Sequence, residues 1–133
     1  MAARNVFFRL ATVALLLALS GPGATAQTAA TNRVMREKLM HSQKILEAIM
    51  TSDFKGLEEH GAAIVNLTKT EGWSVLKSAE YARRSEAFVH ALDDLITSAK
   101  AKDLDSAAVR YMSLTLACFE CHRQIKNMRL ASR

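Results

Sequence analysis

From Gln27 to Arg133 the chain contains no proline and only three glycines, Gly56, Gly61 and Gly72. Strands and hairpins need frequent turn residues, and a stretch this long without them excludes most all-β folds. What remains is a protein of long helices. Four segments carry the matching period, with apolar side chains recurring at steps of three and four. The first covers residues 32–50, with Thr31 as its expected N-cap and Met35, Leu39, Ser42, Ile45, Leu46 and Ile49 as its inward stripe. The second covers 54–69 behind Asp53, with Phe54, Leu57, Ile64 and Leu67 on one face and Gly61 marking a close approach to a neighbour. Residues 70–78, around Gly72 and Trp73, form a loop. A third helix spans 79–101, with Tyr81, Phe88, Leu92, Leu95 and Ala99 aligned. The fourth spans 107–128, capped by Asp105 or Ser106, and carries a heptad seam of Ala107, Tyr111, Leu114, Cys118, Cys121, Ile125 and Met128. Four helices with short connections predict an all-α fold, an antiparallel four-helix bundle.

The first 26 residues have a different character. Arg4 and Arg9 precede an apolar run, Leu10–Leu19, and Ala24-Thr25-Ala26 has the small-x-small pattern of a cleavage site. This is the pattern of a secretory signal peptide. The run is too short for a bilayer, which needs about 20 apolar residues. The expected domain is therefore 27–133, exported to the periplasm and not membrane-spanning once mature. Loss of Arg4 and Arg9 lowers the formal charge from +5 to +3. A charge that small argues against a nucleic-acid partner and hints at acidic ones.

The chain's only two cysteines lie in Cys118-Phe119-Glu120-Cys121-His122, a C-x-x-C-H sequence on the fourth helix. This is the pattern of covalent c-type haem attachment. Two thiols three residues apart share nearly one helix face, so each can add to one vinyl group, and the following histidine offers its imidazole to the iron. Competing uses of the motif fit less well. A redox disulfide expects a βαβ context. Zinc needs four ligands, and adjacent Cys121 and His122 rarely converge on one ion.

With the motif near the C-terminus of a helical chain, the sequence resembles the class II c-type cytochromes, the cytochrome c′ family. Three stretches carry the resemblance: Ala99-Lys100-Ala101-Lys102-Asp103-Leu104-Asp105 before the last helix, Thr70-Glu71-Gly72-Trp73 in the preceding loop, and Cys118 to Lys126. Gly72 stands where the family has Ile, and the Arg-Gln pair common in its first helix is absent. The resemblance implies one covalent haem c, with Cys118 and Cys121 as thioether anchors and His122 as proximal ligand to the iron. It also implies a choice at the sixth position. One branch of the family is low-spin, takes a methionine from the first helix and transfers electrons. The other is five-coordinate and binds NO or CO.

Alignment of the first helix places Met35 at the distal position, where a thioether raises the reduction potential. Core packing is the alternative role for such a methionine. Met40 and His41 are rival ligands, and an open distal face is the remaining case. Lys126 is a candidate partner for a haem propionate. Tyr111 and Phe119 are expected near the porphyrin, and Trp73 at one end of the bundle. Glu37, Lys38, Glu58 and Glu59 read as solvated face, and His60 and His90 as surface. The expected function is electron carriage between periplasmic redox proteins, with no substrate bond made or broken and hence no enzyme. The family resemblance leaves a homodimer open, through the outer faces of the first two helices, where Ile49, Met50 and Val65 would extend an apolar patch.

Overall fold

The computed structural model describes residues 23–131, and their side chains from 26 to 128. Arg4, Arg9 and the Leu10–Leu19 run of the expected signal lie outside the described residues. The described chain is helical, with α1 over Gly23–Thr51, α2 over Phe54–Leu67, α3 over Ala79–Lys100 and α4 over Leu104–Ala131. Each helix packs on its neighbour in sequence, and α4 returns against α1, an arrangement consistent with a four-helix bundle. The α1–α4 interface is the sparsest of the four. Ile45, Leu57, Ile64, Leu92, Leu95 and Leu114, one or two from each helix, are the largest fully buried side chains.

Two connections are built alike. At the end of α1, Ser52 takes a left-handed φ of 57°, and the Asp53 N–H reaches back to the Ala48 carbonyl at 2.8 Å. At the end of α3, Lys102 takes φ 55°, and the Asp103 N–H reaches the Ser98 carbonyl at 3.0 Å. These bonds satisfy carbonyls that a helix end leaves free. The aspartate in each pair then caps the next helix. The Gly56 N–H donates to Asp53 Oδ1 at 3.0 Å, and the Ser106 N–H donates to Asp103 Oδ1 at 2.9 Å.

Two helix starts differ from expectation. The fourth helix begins at Leu104, with Asp103 rather than Asp105 or Ser106 as its cap. The first begins at Gly23, so Thr31 lies inside α1 and its hydroxyl donates to the Gln27 carbonyl at 2.9 Å. No glycine or proline separates Gly23 from Gly56, so nothing stops the helix from extending towards the N-terminus. The expected cleavage site, Ala24-Thr25-Ala26, falls in the first turn of α1.

The inward face of α1 is also rotated. Val34, Lys38, Ile45, Ala48 and Ile49 are buried, whereas Leu39 and Leu46 are exposed. Because Ile49 is buried and Val65 half-buried, the expected dimer patch on α1 and α2 is not formed by those residues. A separate exposed apolar stripe runs down α4 through Val109, Met112, Leu116 and Phe119. Gly61 does mark a close approach, since a Cβ there would lie 2.7 Å from Ile96 Cγ1 of α3. Among the described residues, no helix is long and apolar enough to cross a membrane.

Candidate functional site

Burial along the α4 seam changes at one point. Ala107 and Leu114 are fully buried, but Cys118, Cys121, Ile125 and Met128 on the same stripe are only half-buried. Beyond Leu114 the seam faces a gap rather than α1. Tyr111, one turn before the change, is where the two helices join. Its hydroxyl donates to the Ser42 carbonyl at 3.1 Å.

The gap holds two adjoining cavities. One, of about 580 Å3, is lined by Met35, Leu39 and Ser42 of α1, Ile64 and Phe88 behind, and Leu114, Cys118 and His122 of α4. The other, of about 880 Å3, shares Met35, Lys38, Phe88, Cys118 and His122 and adds Trp73, Tyr81, Arg84, Cys121 and Lys126. Both lie in the range of roughly 300–1,000 Å3 that encloses a ligand of drug size. The exposed Leu39 is thus accounted for, because it stands at the rim of this opening.

The loop after α2 forms the far wall. Gly72 sits so close to α1 that a Cβ would lie 2.7 Å from Val34 Cγ2 and 2.8 Å from the Ala30 carbonyl oxygen. Only hydrogen in place of a side chain permits that approach. The contact fixes Trp73, whose indole N–H donates to Ser85 Oγ at 3.2 Å and whose ring lies 5.2 Å from that of Phe88. The Tyr81 hydroxyl donates to the Trp73 carbonyl. Trp73 therefore forms part of the cavity wall.

Lys38 departs from the sequence reading. It is only 8% exposed, and its Nζ stands 5.4 Å from the Trp73 ring centroid and 5.1 Å from that of Phe88. Such placement over aromatic faces is favourable for a cation. Lys38 Nζ has neither a carboxylate nor a hydrogen-bond acceptor among the described residues. Arg84, which sequence reasoning also missed, bridges Glu80 at 2.8 Å and Glu120 of α4 at 2.6 Å, on the opposite rim.

The two thiols are free. Burial pushes both Cys118 and Cys121 above the ordinary thiol range, with the Lys38 charge acting the other way. His122 is held below the usual imidazole value, first by burial and then by the Lys38 cation. A neutral imidazole is the form that binds a metal. Among the described residues, no group of three or more His, Cys, Asp and Glu side chains is gathered for a metal ion.

The expected residues divide clearly. Met35, Cys118, Cys121, His122 and Lys126 all line the opening. Met40 is exposed and lines neither cavity. His41 faces α2, where its Nδ1 lies 3.1 Å from Nδ1 of His60, so His60 is half-buried and paired rather than a surface residue. Phe119 is 73% exposed and points away. His90 is exposed, beside Glu86.

A covalently anchored porphyrin needs an apolar slot, two thiols and an imidazole on one wall, a second donor opposite, and cations for its carboxylates. Cys118, Cys121 and His122 of α4, Met35 of α1 and the cation Lys126 all line one opening, a set of residue types that fits such a group. Compared with known proteins, the chain matches no family model, no curated protein and no solved structure.

Proposed function

We propose that this protein is an exported monohaem c-type cytochrome that carries single electrons in the periplasm. In this reading it is an antiparallel four-helix bundle of the class II, cytochrome c′-like kind, formed after removal of residues 1–26. The observation that carries the proposal is the α1–α4 opening, with Cys118, Cys121 and His122 on one wall and Met35 on the other. Cys118 and Cys121 would hold the haem covalently and His122 would be its proximal ligand. Met35 would complete the iron's coordination. The haem supplies a one-electron couple, tuned by axial ligation and burial.

The chain's own residues then have clear tasks. The Trp73–Phe88 wall keeps water from the back of the slot. Tyr111 and Ser42 hold α1 and α4 together beneath it. Lys126, at the mouth of the wider cavity, is placed to meet a carboxylate. Met40 and His41 drop out as ligands in this reading because neither lines the opening. If Met35 stays off the iron, the protein is instead a five-coordinate NO- or CO-binding module.

The test is co-expression with haem-attachment machinery, followed by denaturing electrophoresis and intact mass. The wild-type chain should keep one haem after denaturation, and Cys118→Ser with Cys121→Ser should keep none. A colourless wild-type chain, or one whose cysteines are joined as a disulfide, would refute the proposal.

A further inference from the structure

The least expected feature of the site is a cation, Lys38, whose stem is buried, whose ammonium borders the opening, and which has no carboxylate partner among the described residues. Lys38 is one helical turn from Met35, so the two side chains are neighbours on α1. Both line both cavities, as do Cys118 and His122. The ammonium lies over Trp73 and Phe88, 5.4 Å and 5.1 Å from their ring centroids. The other cations at the opening differ. Arg84 is engaged by Glu80 and Glu120, and Arg36 and Lys126 are exposed, where solvent screens their charge.

From this placement, and resting on the haem reading above, we infer that Lys38 sets the redox balance of the site. Its ammonium is a positive charge in the same opening as Met35, Cys118 and His122, and with haem held there it would favour the reduced, less positive state. The reaction it biases is the gain of one electron from a redox partner, which changes the site's charge by one and transfers no atom. A charge half-enclosed by protein acts more strongly than one in water, because the effective dielectric is lower. Lys38 is thus a tuning residue, neither an anchor nor a ligand. The aromatic pair has a second role here, since it holds the ammonium in place without neutralising it.

The test compares wild type, Lys38→Met and Lys38→Arg as haem-loaded proteins, with midpoint potentials read by spectroelectrochemistry. Lys38→Met should lower the potential, and Lys38→Arg should restore most of it. A parallel measurement uses the haem-free chains. An anionic aromatic disulfide and neutral iodoacetamide compete for Cys118 and Cys121, and Lys38→Met should lower the anionic-to-neutral rate ratio several-fold. Equal potentials in wild type and Lys38→Met, with haem in place, would overturn the role of Lys38 and leave the cytochrome reading standing. An unchanged thiol rate ratio would overturn it from the charge side. Failure of the wild-type chain to take covalent haem would overturn both.

Discussion

The Tyr111 hydroxyl donates to the Ser42 carbonyl at 3.1 Å, and this bond joins α4 to α1 at the point where the two helices begin to part. Ala107 before it and Leu114 after it are fully buried. From Leu114 onward the seam faces the opening and reaches the thiols. The bond therefore ties α1 to α4 next to the site. Tyr111→Phe removes the donor while keeping the ring. It should cost about 1 kcal/mol, the usual net value of one such bond. Urea denaturation of the haem-free chain would measure it. A variant as stable as wild type would mean that ring packing alone holds the helices there.

The two Asp-capped turns give a paired prediction. Asp53→Ala and Asp103→Ala should each destabilise by about 1 kcal/mol, because each leaves a backbone N–H at a helix start without its acceptor. Ser52→Gly and Lys102→Gly should do the reverse. Both positions have positive φ, which costs a side-chain-bearing residue roughly 1–2 kcal/mol, so glycine should stabilise despite its larger unfolded-state entropy. Thermal melts of the four variants would show two shifts down and two up.

Gly72→Ala tests the wall. The added methyl would meet Val34 Cγ2 at 2.7 Å and the Ala30 carbonyl oxygen at 2.8 Å, and the backbone atom cannot rotate away. Overpacking of this kind costs roughly 1–3 kcal/mol. Trp73 fluorescence should shift towards that of an exposed indole as the loop moves off α1. Unchanged emission and stability would show that α1 gives way easily at Ala30.

Acid should loosen α1 from α2. His41 has its pKa lowered from 6.5, first by burial and then by His60 of α2, with Glu37 of its own helix opposing. A histidine with a depressed folded value binds a proton more readily when unfolded. The stability it confers is therefore present above about pH 6.5 and falls as pH drops through and below that value. His60→Gln should flatten this part of the stability–pH curve, because it removes the like-charge partner 3.1 Å away. Denaturation at a series of pH values between neutral and mildly acidic would show the loss of slope.

Much of this architecture was legible in the residues. The scarcity of glycine and the lack of proline between Gln27 and Arg133 pointed to four helices, and the seam on α4 marked its inward face. Gly61 marks a close approach as its place in the helix suggested, and Cys118, Cys121 and His122 line the opening together. The errors share a physical cause. A helical stripe can be rotated by one residue and keep its period, so Leu39 was read as inward and Lys38 as solvated. An amphipathic lysine buries its stem readily when aromatic faces receive its head, and pattern alone cannot show those faces because they come from the loop and from α3. His60 was misread for the same reason, since its partner His41 lies on another helix. The early start of α1 reflects local propensity. A stretch without glycine or proline stays helical past a plausible threonine cap.

The central claim is tested most directly by the absorption spectrum of the exported, haem-loaded protein, oxidised and reduced, with and without CO. The account predicts sharp low-spin bands on reduction, no response to CO, and conversion towards a high-spin, CO-binding form in Met35→Leu. A wild-type spectrum that is already high-spin and shifts with CO would contradict Met35 ligation and make the protein a gas-binding module.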